Sequence, residues 1–347
     1  MLTSFDRWAA NAVLNGPAIW LVVTFGIAGW IVSRWCWHWV DCLAWDVPAR
    51  QGTVCPQCGV VRNRSLIDLI GSMFSRPTCA ACGYRTPGRW LASCLVAVLF
   101  AGFAWAVTRV GCQNLTYGGS IDWIHWRLAY HLTLITLLLT ATVIDFKLYI
   151  IPDNITLPGM LAGVIGATLF GNLHLVPLWV DANQELAGFH GPFVPEWIKL
   201  HWYWHGLAWS SVGLLAGGGL TWLVRGLSQL MLGKEALGFG DVTLMAMIGS
   251  FIGWQPVLFV FALAPVCGLG IALLARLITG KSYVPYGPYL SASTLLVLLT
   301  WRWLWTPLRY IFGHGPTIGA LVGGAILTMA LLLSGIRLFR AIPVKKR

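Results

Sequence analysis

What most limits the folds open to this chain is a recurring apolar run. Predominantly hydrophobic stretches lie near residues 18–39, 91–109, 127–145, 154–171, 205–225, 242–254, 256–278, 287–305 and 316–337. A hydrocarbon core about 30 Å thick is crossed by about 20 helical residues, so most of these runs are long enough to span it. The run at 242–254 is short and parted from the next only by Gly253-Trp254-Gln255-Pro256. The expectation is an all-α polytopic membrane protein with eight or nine transmembrane helices. Composition agrees: 57% of residues are hydrophobic, 10% are charged and the mean hydropathy is +0.72, whereas soluble domains carry about 25% charged residues. A soluble globular enzyme and a disordered protein are both excluded.

The charges then speak to topology. Lys and Arg number 23 against 12 Asp and Glu, a net +11, which would raise nucleic acid as a partner if the charges formed one patch. They are scattered between the apolar runs instead, so the partner expected is the lipid bilayer and not nucleic acid. An N-terminus outside the cell places 17 of the 23 basic residues on the inner side, with the tail Lys345-Lys346-Arg347 among them, as the excess of positive charge in cytoplasmic loops requires. Met1 to Pro17 carries Asp6 and Arg7 in place of a basic cluster, and no removable signal peptide is expected.

Two connections are long enough to fold. Residues 40–90 lie inside by this topology. Residues 172–204 lie outside, where Trp179, Trp197, Trp202 and Trp204 suggest a segment resting among the lipid headgroups. His174, His190, His201 and His205 fall in or beside this segment at spacings that fit no simple metal site; they read as interfacial residues.

Inside, Cys55-Pro56-Gln57-Cys58 and Cys79-Ala80-Ala81-Cys82 are separated by twenty residues. Two such pairs make the two knuckles of a tetrahedral four-thiolate Zn²⁺ site, and Gly59 and Gly83 follow the pairs where a knuckle turn calls for positive φ. Disulfides are the alternative, disfavoured in a reducing compartment. Four thiolates leave no open coordination position, so the metal would be structural. The other cysteines read as small buried hydrophobes.

Acidic residues are scarce, and two lie where an apolar run meets the inner surface. Asp145 ends the third run, and Asp241 opens the sixth within Gly238-Phe239-Gly240-Asp241. Charge at a membrane edge is costly and is a functional candidate by default. Each has a plainer explanation: Asp241 could cap a helix, Asp145 could snorkel beside Lys147, and Asp153 after Pro152 reads as a cap. Together they suggest more. Two carboxylates at one depth, 96 residues apart in sequence, can meet when helices pack, and a close pair shares one proton. One then serves as general base on water while the other polarises a peptide carbonyl, the chemistry of aspartic proteases.

The cysteine pairs after the first span, Asp145 followed by Ile151-Pro152-Asp153, the Gly-Phe-Gly-Asp box running on as Val242-Thr243-Leu244-Met245, and Val284-Pro285-Tyr286-Gly287-Pro288-Tyr289-Leu290 stand in an order that resembles the bacterial type IV prepilin leader peptidases. The resemblance covers roughly residues 55–305. It implies that Asp145 and Asp241 are the catalytic aspartates. It further implies that the substrates are prepilins or pseudopilins, cut on the cytoplasmic face of the bacterial inner membrane after a glycine and before an apolar helix. Many members of the family then methylate the new N-terminus with S-adenosylmethionine. This chain has Thr243 where the family usually has lysine, a departure that peptidase chemistry can survive. The stretch from Trp39 to Arg50 matches the family's asparagine and Arg-Leu-Pro elements only loosely, and the family's glutamate is missing after Cys82, so weak or absent methylation is expected.

The resulting organisation is an N-terminal segment with the first helix over 1–39, a cytoplasmic zinc-binding domain over 40–90, a peptidase core over 91–310, and an added C-terminal helix with a basic tail over 311–347. The reading from a different class is a transporter or scaffold whose paired carboxylates bind cations or protons.

Overall fold

The computed structural model describes residues 4–43, 53–55, 57–62, 79–83, 90–115, 121–180, 185–186, 189–190, 194–233, 237–280, 285–312 and 314–341. Six of its helices are long and apolar enough to cross a membrane: Ala18–Trp37, Trp90–Val110, Ile124–Leu148, Asp153–Phe170, Trp202–Met231 and Trp254–Leu277.

In chain order the elements are α1 (Ser4–Asn15), α2 (Ala18–Leu43), a hairpin of β1 (Thr53–Val54) and β2 (Val61–Arg62), and α3 (Trp90–Trp105), which continues as a π-turn over Ala106–Val110. A 3₁₀ turn over Ile121–Trp123 leads into α4 (Ile124–Leu148) and then α5 (Asp153–Phe170). After a second hairpin of β3 (Glu185–Leu186) and β4 (Phe189–His190) come α6 (Glu196–Leu200), α7 (Trp202–Leu232), α8 (Phe239–Ile252), α9 (Trp254–Thr279), α10 (Gly287–Phe312) and α11 (Gly315–Ala341). Every apolar run of the sequence is thus a helix or most of one. The short run is α8, of 14 residues, about 21 Å long at 1.5 Å per residue.

Packing explains how so short a helix is kept. Every residue of α8 from Asp241 to Ile252 is buried, enclosed chiefly by α5, α7 and α9. Where α7 crosses α8 the backbones touch: a Cβ on Gly213 would run into Gly249 O, and one on Gly249 would run into Gly213 O. Small residues allow this approach, which replaces hydrophobic drive as the basis of helix association in lipid. The Tyr130 hydroxyl of α4 lies 2.6 Å from Gly163 O of α5 and 3.1 Å from Ser250 O of α8. It therefore ties three helices at a single point.

Two regions depart from the sequence reading. Helix α1 was too short to register as a span. It ends at Gly16-Pro17, and its Asp6 carboxylate accepts a hydrogen bond from Trp126 Nε1 at 3.2 Å. The connection after α5 does not rest on the surface over its whole length: Leu173, His174, Leu175, Val176 and Val180 are buried, and the Gln255 amide donates to Pro177 O at 3.0 Å. Trp202 and Trp204 belong to α7. Trp179, Trp197 and Trp204 keep the exposure expected of interfacial anchors.

Candidate active site

Helix α4 stops one turn past Asp145 because Tyr149 takes the left-handed conformation, with φ of 58°, and its N–H returns to Asp145 O at 2.9 Å. Ile150 and Ile151 then run outside any helix to Pro152, whose extended backbone precedes α5. Asp153 is the first residue of α5 and is exposed, with Pro152 at the N-cap position.

Helix α8 opens on Gly238, and Asp241 is its third residue, accepting the Gly238 N–H on Oδ2 at 2.9 Å. The capping role anticipated for Asp241 is therefore real, and it occupies one oxygen. Asp145 is not a snorkelling side chain: it is only 4% exposed, and its Oδ2 accepts the N–H of Gly287, the first residue of α10, at 3.1 Å. Lys147 extends over the Trp37 ring, 5.3 Å from its centroid. Each carboxylate is thus held by an N–H at a helix N-terminus, where the unsatisfied amides and the helix dipole favour negative charge.

Asp145 and Asp241 line one cavity of about 370 Å³, together with Tyr149, Ile150, Ile151, the glycines of the Gly-Phe-Gly-Asp box, Pro285 and Tyr286. Gly240 is needed where it stands, since a Cβ there would meet Ile151 Cβ at 2.9 Å. Burial, with the Asp241 charge adding to it, pushes the Tyr286 phenol up to about 12, so it is a neutral hydrogen-bond donor at ordinary pH. The rim is apolar and open, with Phe239 57% and Ile150 56% exposed. Like charges held in a common site disfavour one another's ionisation. Such a pair can activate a water and polarise a carbonyl at once.

Three contributions to this site were not read from the sequence. They are the Gly287 N–H, the Tyr286 phenol, and Arg225 on α7, which donates from Nη1 to Leu237 O at 3.0 Å. The first two lie within the 284–290 segment already singled out; Arg225 looked like one more inward-facing topological charge.

The four paired cysteines also converge. Their sulfurs all lie within 4.8 Å of one another, with Cys55–Cys82 at 3.6 Å and Cys58–Cys79 at 3.7 Å. A tetrahedron of metal–sulfur bonds of about 2.3 Å has sulfurs about 3.8 Å apart, so the cluster could hold a metal ion. The knuckle geometry repeats: Gly59 N–H bonds Cys55 O and Gly83 N–H bonds Cys79 O, both at 2.9 Å, and the two glycines have φ of 71° and 69°. Desolvation works against ionisation at Cys55. The backbone N–H groups of Gln57 and Cys58 and the neighbouring thiols outweigh it and hold the Cys55 thiol below its ordinary value, as a thiolate ligand requires.

The histidines divide. His174 and His205 are buried, with ring centroids 4.8 Å apart, and His205 Nε2 accepts the Leu178 N–H at 3.0 Å. Burial, with His205 and Arg127 nearby, pushes His174 down to about 3. These two are core residues and not interfacial ones, whereas His201 is exposed just before α7.

Comparison with known proteins gives the same direction. The type IV leader peptidase family matches residues 132–273, a stretch holding both Asp145 and Asp241. The chain is 28% identical over 263 residues to a prepilin leader peptidase/N-methyltransferase of Pseudomonas putida, covering 73% of this chain and 72% of that protein. It is 26% identical over 265 residues to one from Neisseria gonorrhoeae, covering 74% and 76%. To one from Klebsiella pneumoniae it is 32% identical over 206 residues, covering 58% of this chain and 68% of the relative. No solved structure matches the chain.

Proposed function

The chain belongs to the type IV leader peptidase family, and on that premise we propose that it removes the leader from type IV prepilins or pseudopilins, with Asp145 and Asp241 as the catalytic carboxylates. The observation that carries this reading is the cavity both residues line between the ends of α4, α8 and α10. The ionised carboxylate takes a proton from a water as its oxygen attacks the scissile carbonyl carbon, and the protonated one donates to the carbonyl oxygen. Collapse of the tetrahedral intermediate breaks the C–N bond, and the proton passes to the leaving amine. The glycines of the box leave room for an extended peptide backbone to approach.

In this reading the protein crosses the bacterial inner membrane nine times, with α8 as its shortest span, or eight times if α8 spans only half the bilayer. The N-terminus lies outside, and both carboxylates face the cytoplasm as the distribution of Lys and Arg favours. Cys55, Cys58, Cys79 and Cys82 hold a structural Zn²⁺ that folds the domain at 40–90. Methyl transfer from S-adenosylmethionine to the new N-terminus is a second, weak activity, and no described residue is assigned to that cofactor.

The experiment is to reconstitute the full-length protein in liposomes with a prepilin and to sequence the product N-terminus. One new terminus directly after the leader glycine is expected. An uncut substrate, or scattered cuts, would count against leader cleavage.

A further inference from the structure

Arg225 sits on α7 two turns before its end at Leu232. Its Nη1 donates to Leu237 O at 3.0 Å, and its guanidinium stands over the exposed Phe239 ring, 6.0 Å from the centroid. The next amide along the chain, Gly238 N–H, donates to Asp241 Oδ2 at 2.9 Å. The carbonyl that accepts from Arg225 and the N–H that reaches Asp241 therefore belong to one peptide group. That group is conjugated and planar, so a cation drawing electron density onto its oxygen strengthens its N–H as a donor, as in any polarised chain of hydrogen bonds.

Among the described residues, the partner carboxylate is held by the same device without a charged donor. Asp145 accepts from Gly287 N–H at 3.1 Å, and the carbonyl of that peptide group, Tyr286 O, accepts from the Tyr289 and Leu290 backbone N–H groups at 2.9 and 3.2 Å. One relay begins at a guanidinium and the other at neutral helical amides. A bond from a strengthened donor favours the ionised acceptor.

We propose that Arg225 is a positioning residue that acts through the Leu237–Gly238 peptide group, making Asp241 the ionised member of the pair and leaving the shared proton on Asp145. Asp241 is then the base that activates water, and Asp145 is the acid that faces the scissile carbonyl oxygen. The Phe239 ring holds the guanidinium in line by a cation–π contact. This rests on the peptidase reading above.

The test compares Arg225→Lys with Arg225→Gln in the full-length protein. Glutamine keeps a neutral donor for Leu237 O, and lysine keeps the charge. Arg225→Gln should lower kcat by about tenfold or more with KM changed by less than about twofold, the signature of an interaction used in the transition state. Arg225→Lys should recover most of the loss. Equal activity in the two variants would overturn the proposal, since a residue that merely braces the loop needs no charge. If Arg225→Gln lowers the melting temperature, Arg225→Ala supplies the second arm. Millimolar guanidinium should restore kcat where urea, neutral and of similar shape, does not, and equal responses to the two would overturn the proposal. A wild-type protein that cuts no prepilin counts against the peptidase reading; one that cuts and is indifferent to loss of the charge counts against Arg225 alone.

Discussion

Gly287 donates its N–H to Asp145 Oδ2 across 3.1 Å, joining the first residue of α10 to a carboxylate near the end of α4, 142 positions earlier in the chain. The contact fixes one half of the site from the backbone of the other, and it leaves no space for a side chain: a Cβ on Gly287 would meet Asp145 Oδ2 at 2.5 Å.

Gly287→Ala should therefore displace the Asp145 carboxyl group and weaken its hydrogen bond, a loss of about 0.5–1.5 kcal/mol. That corresponds to a fall of about 2- to 10-fold in cleavage rate. Membrane insertion should be unchanged. Steady-state cleavage by the purified variant checks this, and near-normal kcat would show that the Asp145 position does not depend on α10.

Gly249→Ala tests the packing. The added methyl would press on Gly213 O at the crossing of α7 and α8, and overpacking of this kind costs about 1–3 kcal/mol. The melting temperature in detergent should fall. An unchanged value would mean that α8 is not seated against α7 as closely as the backbones indicate.

Metal analysis of the purified protein should find about one Zn²⁺ per chain, as expected for a single four-thiolate site. Cys55→Ser or Cys82→Ser should lose the metal and unfold the 40–90 domain first, since binding and folding of such a site are one event, while the membrane helices persist. The thiolate form is favoured in the folded state, so the stability it lends is present at higher pH and is lost as pH falls and protons displace the metal. Zinc that stays bound through strong acidification would contradict a thiolate site.

Methylation and cleavage should separate. Among the described residues, none within 40–90 lines the cavity of Asp145 and Asp241, so zinc loss should spare cleavage more than methylation. Mass spectrometry of the processed substrate reads both, each methyl adding one CH₂ to the new terminus. Full methylation by the intact protein would show that the departures around Asp46 and after Cys82 do not matter.

Much of this architecture was legible because membrane helices announce themselves by length and composition. The cysteine spacing likewise anticipated the convergence of the four sulfurs. The two aspartates could be paired only by their common depth and the family resemblance, since the helix packing that brings them to one cavity has no local signal. Backbone donors such as Gly287 N–H are silent in sequence. Arg225 was hidden for a different reason: its charge counted equally toward topology, and only the fold brings it against Leu237 O. His174 misled because a connection outside the spans is ordinarily exposed, whereas this one is folded into the core, and His205 because it belongs to α7 and not to that connection.

In the proposed mechanism Asp145 and Asp241 act as one catalytic unit, which the kinetics of Asp145→Asn, Asp241→Asn and the double variant measure most directly. Asparagine keeps a carbonyl oxygen that can accept the Gly238 or Gly287 N–H, so insertion and melting should hold in all three. Each single variant should abolish leader cleavage, and the double variant should be no worse than either, as for residues that act together. Near-normal cleavage by Asp241→Asn, or losses that multiply in the double variant, would contradict the mechanism.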